Sequence, residues 1–210
     1  MKDFFKNNGH LIWRLILNQI GLTIFGLMTS MAASAIDLSL SSGDGTVSRT
    51  CMIWVSVFTI IFYMFINYMA VKEEGQRDKI RADAGRITRD PLRGLKVVLT
   101  ASALNIALGI AIIVFGLLGA ENGPALEWAG NISGSAKLLA LVIQAMYWGV
   151  MLGLPGLFGL EVATFADVPS FCYILITLPS VIICTLGYIA GLHEFSIFKR
   201  IKSFFTPEGK

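Results

Sequence analysis

Charge is scarce in this sequence: of 210 residues only 15% are Asp, Glu, Lys or Arg, while 55% are hydrophobic. A water-soluble domain of this length cannot hide so large an apolar excess, so a soluble globular fold is excluded. Histidine is almost missing, and neither His10 nor His193 has a second ligand at metal spacing, so no metal centre is expected. The cysteines Cys51, Cys172 and Cys184 lie far apart, with no CxxC pair and no disulfide framework. GxSxG, Walker, HExxH and glycine-rich dinucleotide signatures are all absent. The residues therefore point to no catalytic group and no cofactor. A net charge of +3 is too small for a nucleic-acid partner.

What is present is a set of apolar runs, at about residues 12–36, 51–71, 97–120, 137–160 and 170–192. Each exceeds the roughly 20 helical residues that cross a hydrocarbon core of about 30 Å. Lone strands in lipid would leave backbone N–H and C=O groups unpaired, and no period-two alternation occurs, so all five runs read as helices. The expected fold is all-α, a polytopic transmembrane bundle in a single membrane domain over 1–210, with four to six crossings. Lys2 and Lys6 before an apolar run ending in Ala33, Ser34 and Ala35 resemble a cleavable signal. The run is long for that role and is interrupted by Asn18 and Gln19, so an uncut first helix is expected.

Orientation follows from the charged connector 72–96, which holds Lys72, Arg77, Lys79, Arg81, Arg86, Arg89, Arg93 and Lys96. Such a loop stays in the cytoplasm, which puts the amino terminus there too. Five crossings would then carry Lys199, Arg200 and Lys202 to the outside, against the same rule. A re-entrant turn near 153–170, around Gly153, Pro155 and Gly156, restores an even count with both ends cytoplasmic.

Within the spans the polar side chains are amides: Asn18 and Gln19, Asn67, Asn105 and Gln144. They either line a path for a small solute or hydrogen-bond helix to helix. Small residues recur four apart at Gly26, Ser30 and Ser34, at Gly149 and Gly153, and at Gly187 and Gly191, which permits close helix packing. Pro179 is expected to kink the last helix. The connector is expected to continue helix two until Asp90-Pro91, with Glu73–Arg77 and Lys79–Asp83 as pairs four apart. Its Arg77, Arg81, Arg86 and Arg89 are candidates for docking a membrane or cytoplasmic protein. The tail 193–210 reads as an amphipathic interfacial helix whose Lys199, Arg200 and Lys202 face anionic headgroups. An enzyme would have to use Glu161 and Asp167 as a carboxylate pair.

Glu73, Glu74 and Arg77 resemble the motif of CAAX-type intramembrane proteases, but only Gly75 and Gln76 separate Glu74 from Arg77, one residue short of that pattern. More of the chain is covered by a second resemblance, carried by Asn18 to Leu27, Gly75 to Gly94 and Leu186 to Gly191. These blocks resemble uncharacterised multi-pass membrane proteins of clostridial and related Gram-positive bacteria. That resemblance implies a bacterial plasma membrane and supplies no catalytic residue. The expected task is non-enzymatic, as a transport-related or accessory subunit. A self-contained channel or carrier and a membrane-embedded enzyme are the alternatives.

Overall fold

A computed structural model describes residues 2–40, 46–121, 127–153 and 167–193. Among the described residues every long element is helical: α1 (Lys2–Leu40), α2 (Thr46–Asp83), α3 (Arg93–Ala101), α4 (Ala103–Glu121), α5 (Glu127–Ile143), α6 (Trp148–Gly153), α7 (Cys172–Leu175) and α8 (Leu178–Leu192). The polarity of the bundle is inverted relative to a soluble protein. Trp13, Met28, Trp54, Phe58, Leu138 and Ile182 stand more than half exposed on its outside. Gln19, Asn67, Asn105 and Gln144 are buried within it. Water would penalise both features, whereas lipid favours them, since hydrocarbon solvates the apolar rim and the polar groups find partners inside. The chain is a membrane-spanning helical bundle. Phe4–Ala32, Cys51–Asp83 and Cys172–Leu192 are each long and apolar enough to cross, and α3 with α4, bent by 60°, is long and apolar enough if the pair is one span.

The remaining apolar segment behaves differently. The expected helix over 137–160 begins instead at Glu127 and breaks after Ile143, where a single 3-10 turn (Ala145–Tyr147) joins α5 to α6 at an angle of 83°. Contacts show which way the chain then goes. α5 starts beside the end of α4, with Gly130 against Gly119 and the Ser133 hydroxyl donating to the Ile112 carbonyl at 3.2 Å. It ends where Thr23 donates to the Ile143 carbonyl at 2.9 Å, roughly 22 Å along α1 from Asn8 at 1.5 Å per residue. The 3-10 turn packs Met146 on Gly26, and α6 then reaches Met52 and Ser56 in the first turns of α2, where the Gly149 amide donates to the Ser56 hydroxyl at 2.7 Å. The pair therefore dips to mid-depth and returns toward the end it came from. The break at Gln144 falls nine residues before the start of the turn expected at 153–170, and residues 154–166 of that range lie outside the described chain.

Ser170 lies near Gly116 and Ile174 against Gly109, so α7 and α8 start at that same far end. α8 finishes beside the carboxyl end of α2, where Tyr188 reaches Asp78. The start of α1 and the end of α8 therefore share one end of the molecule. The Cys172–Leu192 span is interrupted at 176–177, just before Pro179, so the expected kink takes the form of a break between α7 and α8 with Pro179 in the first turn of α8.

Two further departures concern helix ends and close approach. α2 stops at Asp83, not at Asp90-Pro91, because Gly85 takes φ +68° while its amide and that of Arg86 return to the Ala82 and Arg81 carbonyls. α2 and α8 meet through Gly75 and Gly191. A Cβ on Gly75 would fall 2.5 Å from the Tyr188 carbonyl oxygen, so only bare backbone fits.

Candidate functional site

The buried face of α2 is a regular stripe: Ser56, Thr59, Tyr63, Asn67, Val71, Gly75 and Asp78, at intervals of three and four. It continues past the apolar span, and its last member is a carboxylate only 2% exposed. A buried Asp requires compensation, and it comes from α3, from α8 and from the next turn of α2 itself. Arg93 at the start of α3 pairs with Asp78 through Nη1. Tyr188 near the end of α8 donates its hydroxyl to Oδ2 at 2.6 Å. Arg81, one turn further along α2, stands 3.4 Å from Oδ1. Arg93 is itself fixed by α1, donating from Nε to the Asn8 Oδ1 at 2.7 Å. Asp78 thus ties four helices at one end of the bundle, and nearby Arg14 adds an ion pair to Glu73 at 3.3 Å.

Above this node opens a cavity of about 710 Å³, walled by the first turns of α1, the end of α2, the 87–90 turn and the start of α3. At its edge Asp90 accepts from Lys96 at 2.8 Å and from the Leu92 amide at 3.0 Å. The Lys96 ammonium and that amide hold the Asp90 carboxyl below the usual carboxylate range. Among the docking candidates, Arg81 and Arg89 line this cavity, while Arg77 and Arg86 do not. Arg77 pairs with Glu73 at 2.8 Å and Arg89 with Asp83, and all four side chains are exposed. Lys199, Arg200 and Lys202 lie outside the described residues.

The amides do not converge on one chamber. Gln19 and Asn105 exchange reciprocal hydrogen bonds at 3.1 and 3.0 Å, joining α1 to α4. Asn18 donates to the Asn67 Oδ1 at 2.8 Å, joining α1 to α2. Gln144, at the break between α5 and α6, is fully buried with both amide atoms unpaired, and the Asn67 Nδ2 is likewise unpaired. Of the carboxylates weighed for an enzyme, Asp167 is exposed and Glu161 lies outside the described residues.

Sequence reasoning missed Asp78, Tyr188 and Asn8 as site residues. The signal was available for Asp78: the spacing of three and four that marks the core face of α2 runs through Gly75 to this residue. Nothing in the sequence pairs it with Tyr188, 110 positions away. No family model, curated protein or solved structure matches the chain.

Proposed function

We propose that this chain is a non-enzymatic membrane subunit, transport-related or accessory to another protein, seated in a bacterial plasma membrane with its ion-paired end in the cytoplasm. The observation that carries this reading is the Asp78 node. It fixes the ends of α2 and α8 and the starts of α1 and α3 as one platform, and the exposed Arg77, Arg81, Arg86 and Arg89 are presented from it. A loop needed only to connect two spans has no use for such rigidity, whereas a docking surface gains from it, since less motion is lost on association. The excess of Lys and Arg in 72–96 supports the cytoplasmic side. Anionic lipid is the natural neighbour of those residues. Purification from native membranes in mild detergent, with companions identified by mass spectrometry, tests the reading. A stoichiometric partner lost on reversing Arg77 and Arg86 to Glu supports it, and a chain that purifies alone sinks it.

The channel or carrier reading is favoured by one observation, the unpaired Gln144 amide at a helix break inside the membrane. Broken helices in transporters place polar groups at such breaks. Solute flux in proteoliposomes that falls in Gln144→Ala, with the fold intact, supports this second reading.

A further inference from the structure

We propose that the cavity above Asp78 binds a phosphate-bearing anion, a site separate from any protein-docking role of the same end. Five cations, Lys6, Arg81, Arg89, Arg93 and Lys96, line it against two carboxylates, Asp78 and Asp90. Glu74 and Asp83 stand just outside that lining and also touch these arginines: Glu74 lies 3.6 Å from Arg81, and Asp83 pairs with Arg89. The two lining carboxylates are not equivalent. Asp78 is buried and committed to Arg93 and Tyr188, so Arg93 forms a fixed floor. Asp90 is partly exposed, and its contact with Lys96 at 2.8 Å is an ordinary solvent-facing pair. Pairs of that kind contribute little, so exchanging one for an incoming phosphate costs little.

Lys6 and Arg81 are the groups left to grip. Lys6 is exposed and meets no carboxylate among the described residues, and Arg81 holds its acidic neighbours only at 3.4 and 3.6 Å. A guanidinium and an ammonium converging on one opening suit phosphate oxygens, the first by its planar fork and the second as a point charge. The volume exceeds what a bare phosphate fills and falls in the range of organic ligand sites. Phe4, Ile87 and Leu192 give the wall an apolar part. A phosphorylated lipid headgroup and a soluble phosphate ester share this chemistry.

Native mass spectrometry on the full chain in neutral detergent tests the proposal. The titrants are inorganic pyrophosphate, dioctanoyl phosphatidylglycerol and, as zwitterionic control, dioctanoyl phosphatidylcholine. Saturable binding of at least one anion is expected, weakened at least tenfold in the Lys6→Gln/Arg81→Gln double variant. Arg86→Gln, an exposed cation on the same connector outside the cavity, is expected to leave it within twofold. Binding of pyrophosphate alone identifies a soluble ligand, and binding of phosphatidylglycerol alone identifies a headgroup. The site is overturned if neither anion saturates, if phosphatidylcholine binds equally, or if Arg86→Gln weakens binding as much as the double variant. Lys6 and Arg81 are both solvent-facing; an unfolding midpoint close to wild type checks that the variants fold, and each single variant is expected to bind between wild type and the double.

Discussion

Asp78 is the residue on which the charged end depends. Removing its carboxylate leaves Arg93, itself only 18% exposed, with Glu74 at 3.8 Å as its remaining counter-ion, and Tyr188 without an acceptor. Asp78→Ala is therefore expected to destabilise the bundle by about 2–3 kcal/mol, the range for a charged hydrogen-bonded group whose partner keeps some contact with water. Asp78→Asn, which keeps an acceptor for Tyr188, is expected to cost less. Reversible unfolding in mixed micelles reads both, and a change under about 0.5 kcal/mol in Asp78→Ala would discard the node as a structural tie. Asp90 carries the pH dependence. Its carboxyl is held below the usual range by Lys96 and the Leu92 amide, so it contributes stability that is fully present above the ordinary carboxylate value. That contribution is lost as the pH falls through the depressed folded value. The protection of Leu92 and Arg93 against hydrogen exchange, relative to the intrinsic rate at each pH, is expected to fall on acidification in wild type and to be low at all pH in Asp90→Ala. Protection that does not change with pH in wild type would refute the assignment.

Helix pairs are joined by two different devices. α2 and α8 close on bare backbone at Gly75 and Gly191, where a side chain forces the helices apart. Gly191→Ala is expected to cost about 1–3 kcal/mol, the usual range for overpacking. Because Asp78 and Tyr188 bridge the same two helices, the loss is expected to be non-additive with Tyr188→Phe. Strict additivity in the double variant would show that the two contacts are independent. α1 and α4 are joined by the reciprocal Gln19–Asn105 amides. A double-mutant cycle to Ala is expected to return a coupling of about 0.6 kcal/mol, and not more than roughly 1.7, as for hydrogen bonds between membrane helices. A coupling near zero, with altered flux in its place, would favour a transport role for these amides.

The whole molecule is defined by the α5–α6 hairpin. Because that segment turns back and the start of α1 and the end of α8 share one end of the bundle, an even number of crossings is expected, with His193 on the same side as Asn7. Single-cysteine variants at Asn7 and His193 are expected to react with a membrane-impermeant maleimide from one face of sealed vesicles, and those at Glu127 and Asp167 from the other. Of the native thiols, Cys172 and Cys184 are buried, and replacing Cys51 by Ser removes the remaining background. Labelling of His193→Cys from the Glu127 side would replace the hairpin by a full crossing and reverse the orientation of everything after it.

Composition and periodicity were enough to establish an all-α membrane bundle, because transfer from water to lipid depends on residue type summed over about 20 positions and not on neighbours. The charge pattern of 72–96 and the glycine spacing of α8 were legible for the same reason, each being local along the chain. The hairpin was only half legible: the odd count against the charge rule demanded a turn, but its position depended on Thr23, Trp148 and Ser56 satisfying the backbone freed around Gln144. Of the Asp78 node, only the place of Asp78 on the buried stripe of α2 was legible, not its partners. A buried carboxylate is tolerable only when partners arrive with it, and that Arg93 and Tyr188, 15 and 110 positions away in sequence, become its neighbours is decided by packing alone.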